Sequence, residues 1–224
     1  MLHIRPYKFF ALVDAPPARR IVQMQIPPRR AAGGVTLLET CLLLAASQIV
    51  NAHRVFEFGT FLGSTTLNLA LNIPSDGQVL TLDLDAKFAN QALQHPSDSP
   101  LTAVHLGAQA LDFIGSSVAD KITTLTGNSI SFDFSRWKDS IDLVFIDGGH
   151  DLATVKSDTE NALAIVAKDK LSCILWHDYR NLDYADLTDY LDKLSEQMVV
   201  FHIEDTRLCV SFNDPRKLIP PRLQ

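Results

Sequence analysis

From Val35 onward the apolar positions of the chain fall into two alternating rhythms. Broad apolar faces at helical spacing predict helices over VTLLETCLLLAASQIVNA (35–52), STTLNLALNI (64–73), LATVKSDTENALAIVA (152–167) and LTDYLDKLSEQ (187–197), with AKFANQAL (86–93) beginning another. Between them lie short apolar runs that predict strands: RVFEFG, QVLTLDLD, KITTLTG, IDLVFIDG and LSCILWHD. VVFHIED and TRLCVSF, joined by a very short turn, predict a closing antiparallel hairpin. The stretch from Gln94 to Asp120 is interrupted by Pro96, Pro100 and Gly107, with at most a helical turn at LDFIGSS.

Near-continuously apolar strands that alternate with helices imply a parallel sheet covered on both faces. The expected fold is α/β, a doubly wound, mostly parallel seven-stranded sheet with a C-terminal antiparallel hairpin. Residues 1–34 break the rhythm with Pro6, Pro16, Pro17, Pro27 and Pro28, five arginines and the Gly33-Gly34 pair. They read as an extended arm or lid with at most a short helix, and residues 35–224 as one domain. Arg19, Arg20, Arg29 and Arg30 would lie on solvated surface, or meet an acidic substrate or a partner subunit.

Composition narrows the function classes. At 224 residues, 46% hydrophobic and 21% charged, the chain can bury a sizeable core. A net charge of −6 with no basic stripe argues against a dedicated nucleic-acid binder. No run approaches the roughly 20 apolar residues of a membrane span. The first apolar stretch is short and broken by Asp14, unlike a signal peptide, so a cytoplasmic protein is expected. Cys41, Cys173 and Cys209 show no metal-ligand or disulfide spacing and read as reduced thiols.

In doubly wound sheets ligands bind beyond the carboxyl ends of the strands, and the polar residues of this chain cluster there. The first strand runs into Glu57-Phe58-Gly59-Thr60-Phe61-Leu62-Gly63-Ser64. Gly59 permits a tight turn, and Gly63 and Ser64 open a helix with free N–H groups. Phe61 stands where a dinucleotide fingerprint needs its second glycine, and Glu57 would repel a phosphate but suits a cationic amino group. The turn therefore suits a cofactor without phosphates. Asp83 at the end of the second strand, with Asp85 in reserve, is placed to hold ribose hydroxyls. Asn128 and Ser129, after Gly127, could face an adenine ring or form a plain turn. Asp147-Gly148-Gly149-His150 and Trp176-His177-Asp178 follow the fourth and fifth strands. Adjacent strands lie about 4.8 Å apart, so Asp147 and Asp178 could converge on one cation, with His150 or His177 joining. Asp178 could instead cap the next helix.

Together FEFGTFLGSTT, LTLDLD, TGNS and FIDGGHDLATVKSDTENAL with ILWHDY resemble class I S-adenosylmethionine methyltransferases. Within them the chain looks most like the small-molecule O-methyltransferase branch, which carries an Asp-Gly-x-His element after the fourth strand. The resemblance covers roughly Gly34 to Phe212 and implies a Rossmann-like methyltransferase fold with S-adenosylmethionine as cofactor. It implies that Glu57, Gly59, Thr60, Gly63 and Ser64 surround the methionine and ribose part, and that Asp83 holds the ribose. Gly127, Asn128 and Ser129 would flank the adenine, with Asn128 where relatives often carry Asp. Asp147 would sit beside the transferable methyl and, with Asp178, bind Mg2+ or Mn2+ in metal-dependent relatives. Those relatives often follow that second acid with Asn or Asp, where this chain has Tyr179. His150 and His177 are candidate bases.

The expected reaction is methylation of an oxygen on a small-molecule acceptor. Two other readings fit the same strand ends, a nicotinamide-dependent oxidoreductase and a non-catalytic cofactor-binding or assembly protein. An apolar helix at 36–50 and an extended arm would suit a homodimer.

Overall fold

The computed structural model describes residues 1–14, 20–26, 33–84, 95–98, 100 and 111–218. Among them the strands are β1 (Leu2–Ile4), β2 (Arg54–Phe58), β3 (Gln78–Asp83), β4 (Ile122–Thr126), β5 (Leu143–Ile146), β6 (Cys173–Trp176), β7 (Phe201–Ile203) and β8 (Cys209–Phe212). They form one sheet in the order β1-β7-β8-β6-β5-β2-β3-β4. β8 runs antiparallel to β6 and β7, and the other neighbouring pairs are parallel. After β1 at one edge, the chain resumes the sheet at β2, builds outward through β3 and β4, then crosses back to β5 and β6. The strand order thus reverses between β2 and β5, the place where doubly wound sheets bind ligands beyond the carboxyl ends of the strands.

The described helices are α1 (Pro6–Phe10), α2 (Leu37–Ile49), α3 (Ser64–Asn72), α4 (Leu152–Ile165) and α5 (Ala185–Leu194). Alternation along the strands divides the core into two layers. Val55, Val79, Leu143, Phe145 and Leu175 pack with Leu42 and Leu43 of α2 and Leu67 of α3. Phe56, Phe58, Leu80, Val144 and Trp176 pack with Val155 of α4 and Leu187 of α5. Cys173 and Cys209 are buried free thiols, and Cys41 is half-buried and free.

Among the described residues the sheet has eight strands, the seven expected and one more. The additional one is β1, which pairs with β7 through Leu2↔Phe201 and Ile4↔Ile203. Three residues are too few to show a strand's alternation, and Pro6 follows at once as the first residue of α1. Phe9 of α1 is fully buried in the layer that contains α2. Further along, Gln23 N and Gln25 N donate to Asn72 Oδ1 and Asn68 Oδ1 at 2.9 and 2.8 Å, so this part of the arm lies along α3. The helix expected at 86–93, Asp85, Arg19, Arg29, Arg30 and residues 101–110 lie outside the described residues, while Arg20 is exposed. No helix among the described residues is long and apolar enough to cross a membrane.

Candidate active site

The turn after β2 is held from both sides. Gly59 has φ +90°, and a Cβ there would lie 2.2 Å from the main-chain oxygen of Asp147. Only glycine allows the two loops to approach so closely. Gly63, with φ +83°, caps α3, and a Cβ there would meet the Phe113 ring at 2.7 Å. Asp83 Oδ2 accepts the main-chain N–H groups of Thr60 and Phe61 at 2.9 and 2.7 Å, while Oδ1 accepts that of Leu84 at 2.7 Å. The acid expected at the ribose therefore also shapes the turn.

Glu57 points into the α3 side of the sheet and is 1% exposed. Its Oε2 accepts the hydroxyls of Thr66 and Thr81, and the Thr81 hydroxyl in turn bonds that of Thr60 at 2.7 Å. Burial pushes the Glu57 carboxyl up to about 8, against the two hydroxyls, which pull it down. Both hydroxyls fall on the same carboxylate oxygen, Oε2. Ser64, first residue of α3, is half-buried beside the free helix N-terminus.

The loop after β4 carries Gly127, Asn128 and Ser129, all half-buried. Asn128 Oδ1 accepts the Ile130 N–H at 3.0 Å and so closes its own turn. Ser129 hydrogen-bonds Asp158 of α4, a carboxyl that burial pushes up to about 7.

Beyond β5 and β6 the structure gathers a charged cluster. The pairing Ile146↔Trp176 carries Asp147 and His177 out side by side. His177 Nδ1 lies 3.1 Å from Asp147 Oδ1 and 3.2 Å from Asp178 Oδ2. His150 Nε2 lies 2.9 Å from the same Asp178 oxygen. Its Nδ1 faces Asp98 Oδ1 at 2.8 Å, and its ring stacks on Tyr184 with centroids 3.9 Å apart. Asp178 has φ +61°, and its Oδ1 accepts Asn181 Nδ2 at 2.6 Å and Arg207 Nη1 at 3.3 Å. Burial disfavours the charged His150 ring, but Asp178 and Asp98 outweigh it and raise the imidazole to about 9. Asp147 and its neighbours likewise hold His177 well above the ordinary histidine value despite burial. The two imidazoles drive Asp178 far below the ordinary carboxylate range.

Asp178 caps no helix; α5 begins only after Tyr184. Tyr179 is turned into the core, 1% exposed, and donates to Asp192 Oδ1 at 2.8 Å. The amide that supports Asp178 comes from Asn181 instead, within the turn that follows. Asp147, His150 and Asp178 each offer a donor atom, all within 4.8 Å of one another. Two carboxylates and an imidazole so placed fit a divalent ion.

Three members of the cluster escaped the sequence reading: Asp98, Tyr184 and Glu39. Asp98 sits in the short 3-10 turn Pro96–Asp98 of a segment with no periodicity. Glu39 closes a capping box with Thr36 at the start of α2 and lies 3.4 Å from His177 Nε2. The Thr36-x-x-Glu39 spacing marks that cap but says nothing of the histidine.

Residues 56–179, more than half of the chain, match the family described as "Methyltransferase domain". The chain belongs to this methyltransferase family. Over 61 residues the methyltransferase is 33% identical to Tapetum-specific methyltransferase 1 of Arabidopsis thaliana, covering 27% of this chain and 26% of that protein. The match therefore spans about a quarter of that relative's length. Among solved structures, the O-methyltransferase TomG from Streptomyces achromogenes, in complex with SAM, superposes with a TM-score of 0.53 at 15% identity. That alignment covers 79% of this methyltransferase and 80% of TomG. The O-methyltransferase from Bacillus cereus in complex with SAH gives 0.51 at 15% identity, covering 92% and 87% of the two chains. At such identities the likeness is one of fold.

Proposed function

We propose that this methyltransferase transfers a methyl group from S-adenosylmethionine to a hydroxyl of a small molecule. The observation that carries the reading is the contact between Gly59 and the Asp147 main chain, which leaves no room for a Cβ. The donor-binding turn and the acidic cluster share one wall, so a methyl group held by the turn would be presented to the cluster. The cofactor bound in two structural neighbours, and their description as O-methyltransferases, support the donor and the acceptor atom.

In this reading the Gly59–Ser64 turn cradles the methionine part, Asp83 bonds the ribose, and the Gly127–Ser129 loop flanks the adenine. The sulfonium is intrinsically reactive, so the protein mainly aligns donor with acceptor and excludes water. The acceptor oxygen attacks the methyl carbon, the carbon–sulfur bond breaks, and S-adenosylhomocysteine leaves. Asp147 is the most open of the cluster's carboxylates, its side chain 21% exposed against 9% for Asp178. It orients the acceptor hydroxyl and takes its proton, with His177 stabilising the carboxylate from behind. His150, enclosed by Asp98, Tyr184 and Asp178, positions rather than reacts. A divalent ion held by Asp147, His150 and Asp178 would make the acceptor hydroxyl more acidic.

Calorimetric titration with S-adenosylhomocysteine tests the cofactor, and micromolar binding, about −8 kcal/mol, is expected. Incubation with S-adenosylmethionine and a panel of phenols, sugars and hydroxy acids, read by mass spectrometry, tests the chemistry. No detectable cofactor binding would overturn the proposal. Binding without methylation across the panel would favour the non-catalytic reading.

A further inference from the structure

We infer that the acceptor is a hydroxy acid, its carboxylate held by the Arg207 guanidinium while its hydroxyl faces Asp147. The inference rests on the proposed function and names the substrate class of that same site.

Arg207 lies in the turn that joins β7 to β8. β8 is antiparallel to both β6 and β7, so this turn stands at the same end of the sheet as Asp147 and Asp178. The main chain of Arg207 is fixed on both sides. Its N–H donates to Glu39 Oε1 at 2.8 Å, and its carbonyl oxygen accepts the Tyr179 N–H at 3.1 Å. The side chain, by contrast, is 53% exposed. Among the described residues its guanidinium has one partner, Asp178 Oδ1, 3.3 Å from Nη1. That is longer than the roughly 2.7–2.9 Å of a close charge-assisted bond. The same oxygen already accepts Asn181 Nδ2 at 2.6 Å. The contact therefore orients the guanidinium without using it up, and Nε and Nη2 are left for a ligand. An arginine rooted in this way, with its planar fork open, suits a carboxylate taken by two parallel bonds.

The other cations of the cluster are enclosed. His150 lies between Asp98 and Asp178, and His177 among Glu39, Asp147 and Asp178. Arg207 is thus the cluster's one open cation, and Asp147 its most open carboxylate. Asp147 and Asp178 bring oxygens within 4.8 Å of each other, and Arg207 touches Asp178. A molecule a few bonds long therefore spans from the guanidinium to Asp147. Charge sets the kind of anion. One open guanidinium compensates one negative charge, and a phosphate dianion would turn its second charge toward Asp147 and Asp178. A cationic acceptor would be repelled by Arg207 and by the sulfonium alike.

The test is calorimetric titration with hydroxybenzoates and short 2- and 3-hydroxy acids, each against its amide, with and without S-adenosylhomocysteine. At least one acid should bind about 10- to 100-fold more tightly than its amide. Arg207→Gln should erase that preference while amide affinity, S-adenosylhomocysteine affinity and cooperative unfolding stay as in the parent. Arg207→Lys should restore part of it. Where the acid is methylated, Arg207→Gln should raise its KM by the same factor and change kcat by less than about threefold. Equal binding of acids and amides, or no binding of any acid, would overturn the inference. So would an equal loss for acid and amide in Arg207→Gln, which marks a structural role, or tighter binding of a phosphate monoester than of the matching carboxylate. Preference for the acid without methylation would instead remove the proposed function and leave the carboxylate subsite standing. Methylation of acids and amides alike would do the reverse.

Discussion

Glu39 Oε2, which accepts the main-chain N–H of Thr36 to close the cap of α2, also lies 3.4 Å from His177 Nε2. The carboxylate is 3% exposed, and its other oxygen accepts the Arg207 main-chain N–H at 2.8 Å. Burial pushes this carboxyl up, but His177, Arg207 and Thr36 outweigh it and hold it at about 2. A carboxyl depressed in the folded state stabilises it above the unfolded value near 4.5, and that contribution is lost as pH falls toward 2. Glu39→Gln keeps an acceptor for the cap but removes the charge. The variant should be less stable by about 1 to 3 kcal/mol at pH 7, with the gap closing below about pH 4.5. Urea unfolding at pH 7 and pH 3 measures it, and a constant gap would show that the charge contributes nothing.

Gly59→Ala should disable the turn proposed to hold the cofactor. The added methyl would have to pass within 2.2 Å of the Asp147 carbonyl oxygen, from a φ of +90°. Cofactor affinity should fall at least about tenfold, about 1.4 kcal/mol, with a lowered melting temperature. Gly34→Ala is the control, since φ is +102° there but no heavy atom lies within 4 Å. It should show only the conformational cost, about 1 kcal/mol, and calorimetry of the two variants separates them.

Asp147→Ala should lower methyl transfer by at least about 100-fold while thermal unfolding stays cooperative. Turnover at the parent rate would exclude Asp147 from the reaction.

Glu57 gives a pH dependence of the opposite sign. Its carboxyl is raised to about 8, mainly by burial, so the folded state prefers it protonated. The stability tied to that proton is fully present below about pH 4.5 and is lost as pH rises through 8. Glu57→Gln mimics the neutral form and still accepts from Thr66 and Thr81. Its stability should vary less between pH 5 and 8, with a relative gain of about a few kcal/mol at the upper end. Melting curves at both pH values decide, and parallel curves for parent and variant would exclude the effect.

The strands from β2 to β8 were legible because each is an apolar run flanked by turn residues, and Asp147, His177 and Asp178 because they follow such runs directly. The order of acids at strand ends carries position almost without tertiary information. Asp98 was not legible, because its place beside His150 arises from a connection without periodicity and 52 residues distant. Glu39 looked like a helix start and nothing more, since the contact to His177 depends on how α2 packs beside β6. Leu2–Ile4 is too short to show a period, and it joins the sheet only because β7 offers an edge. Tyr179 follows a site acid in sequence yet turns away from it, because Asp178 adopts a left-handed conformation that redirects the chain.

Arg207 belongs to the short connection between β7 and β8, outside the segment 56–179 that matches the family. Its main-chain oxygen accepts from Tyr179, its N–H donates to Glu39, and its guanidinium meets Asp178. The closing hairpin therefore works as a clasp across α2 and the end of β6. A fragment trimmed to the matching segment would keep Asp147, His150, His177 and Asp178 yet leave them unfastened. The family match ends short of the contacts that hold the cluster together.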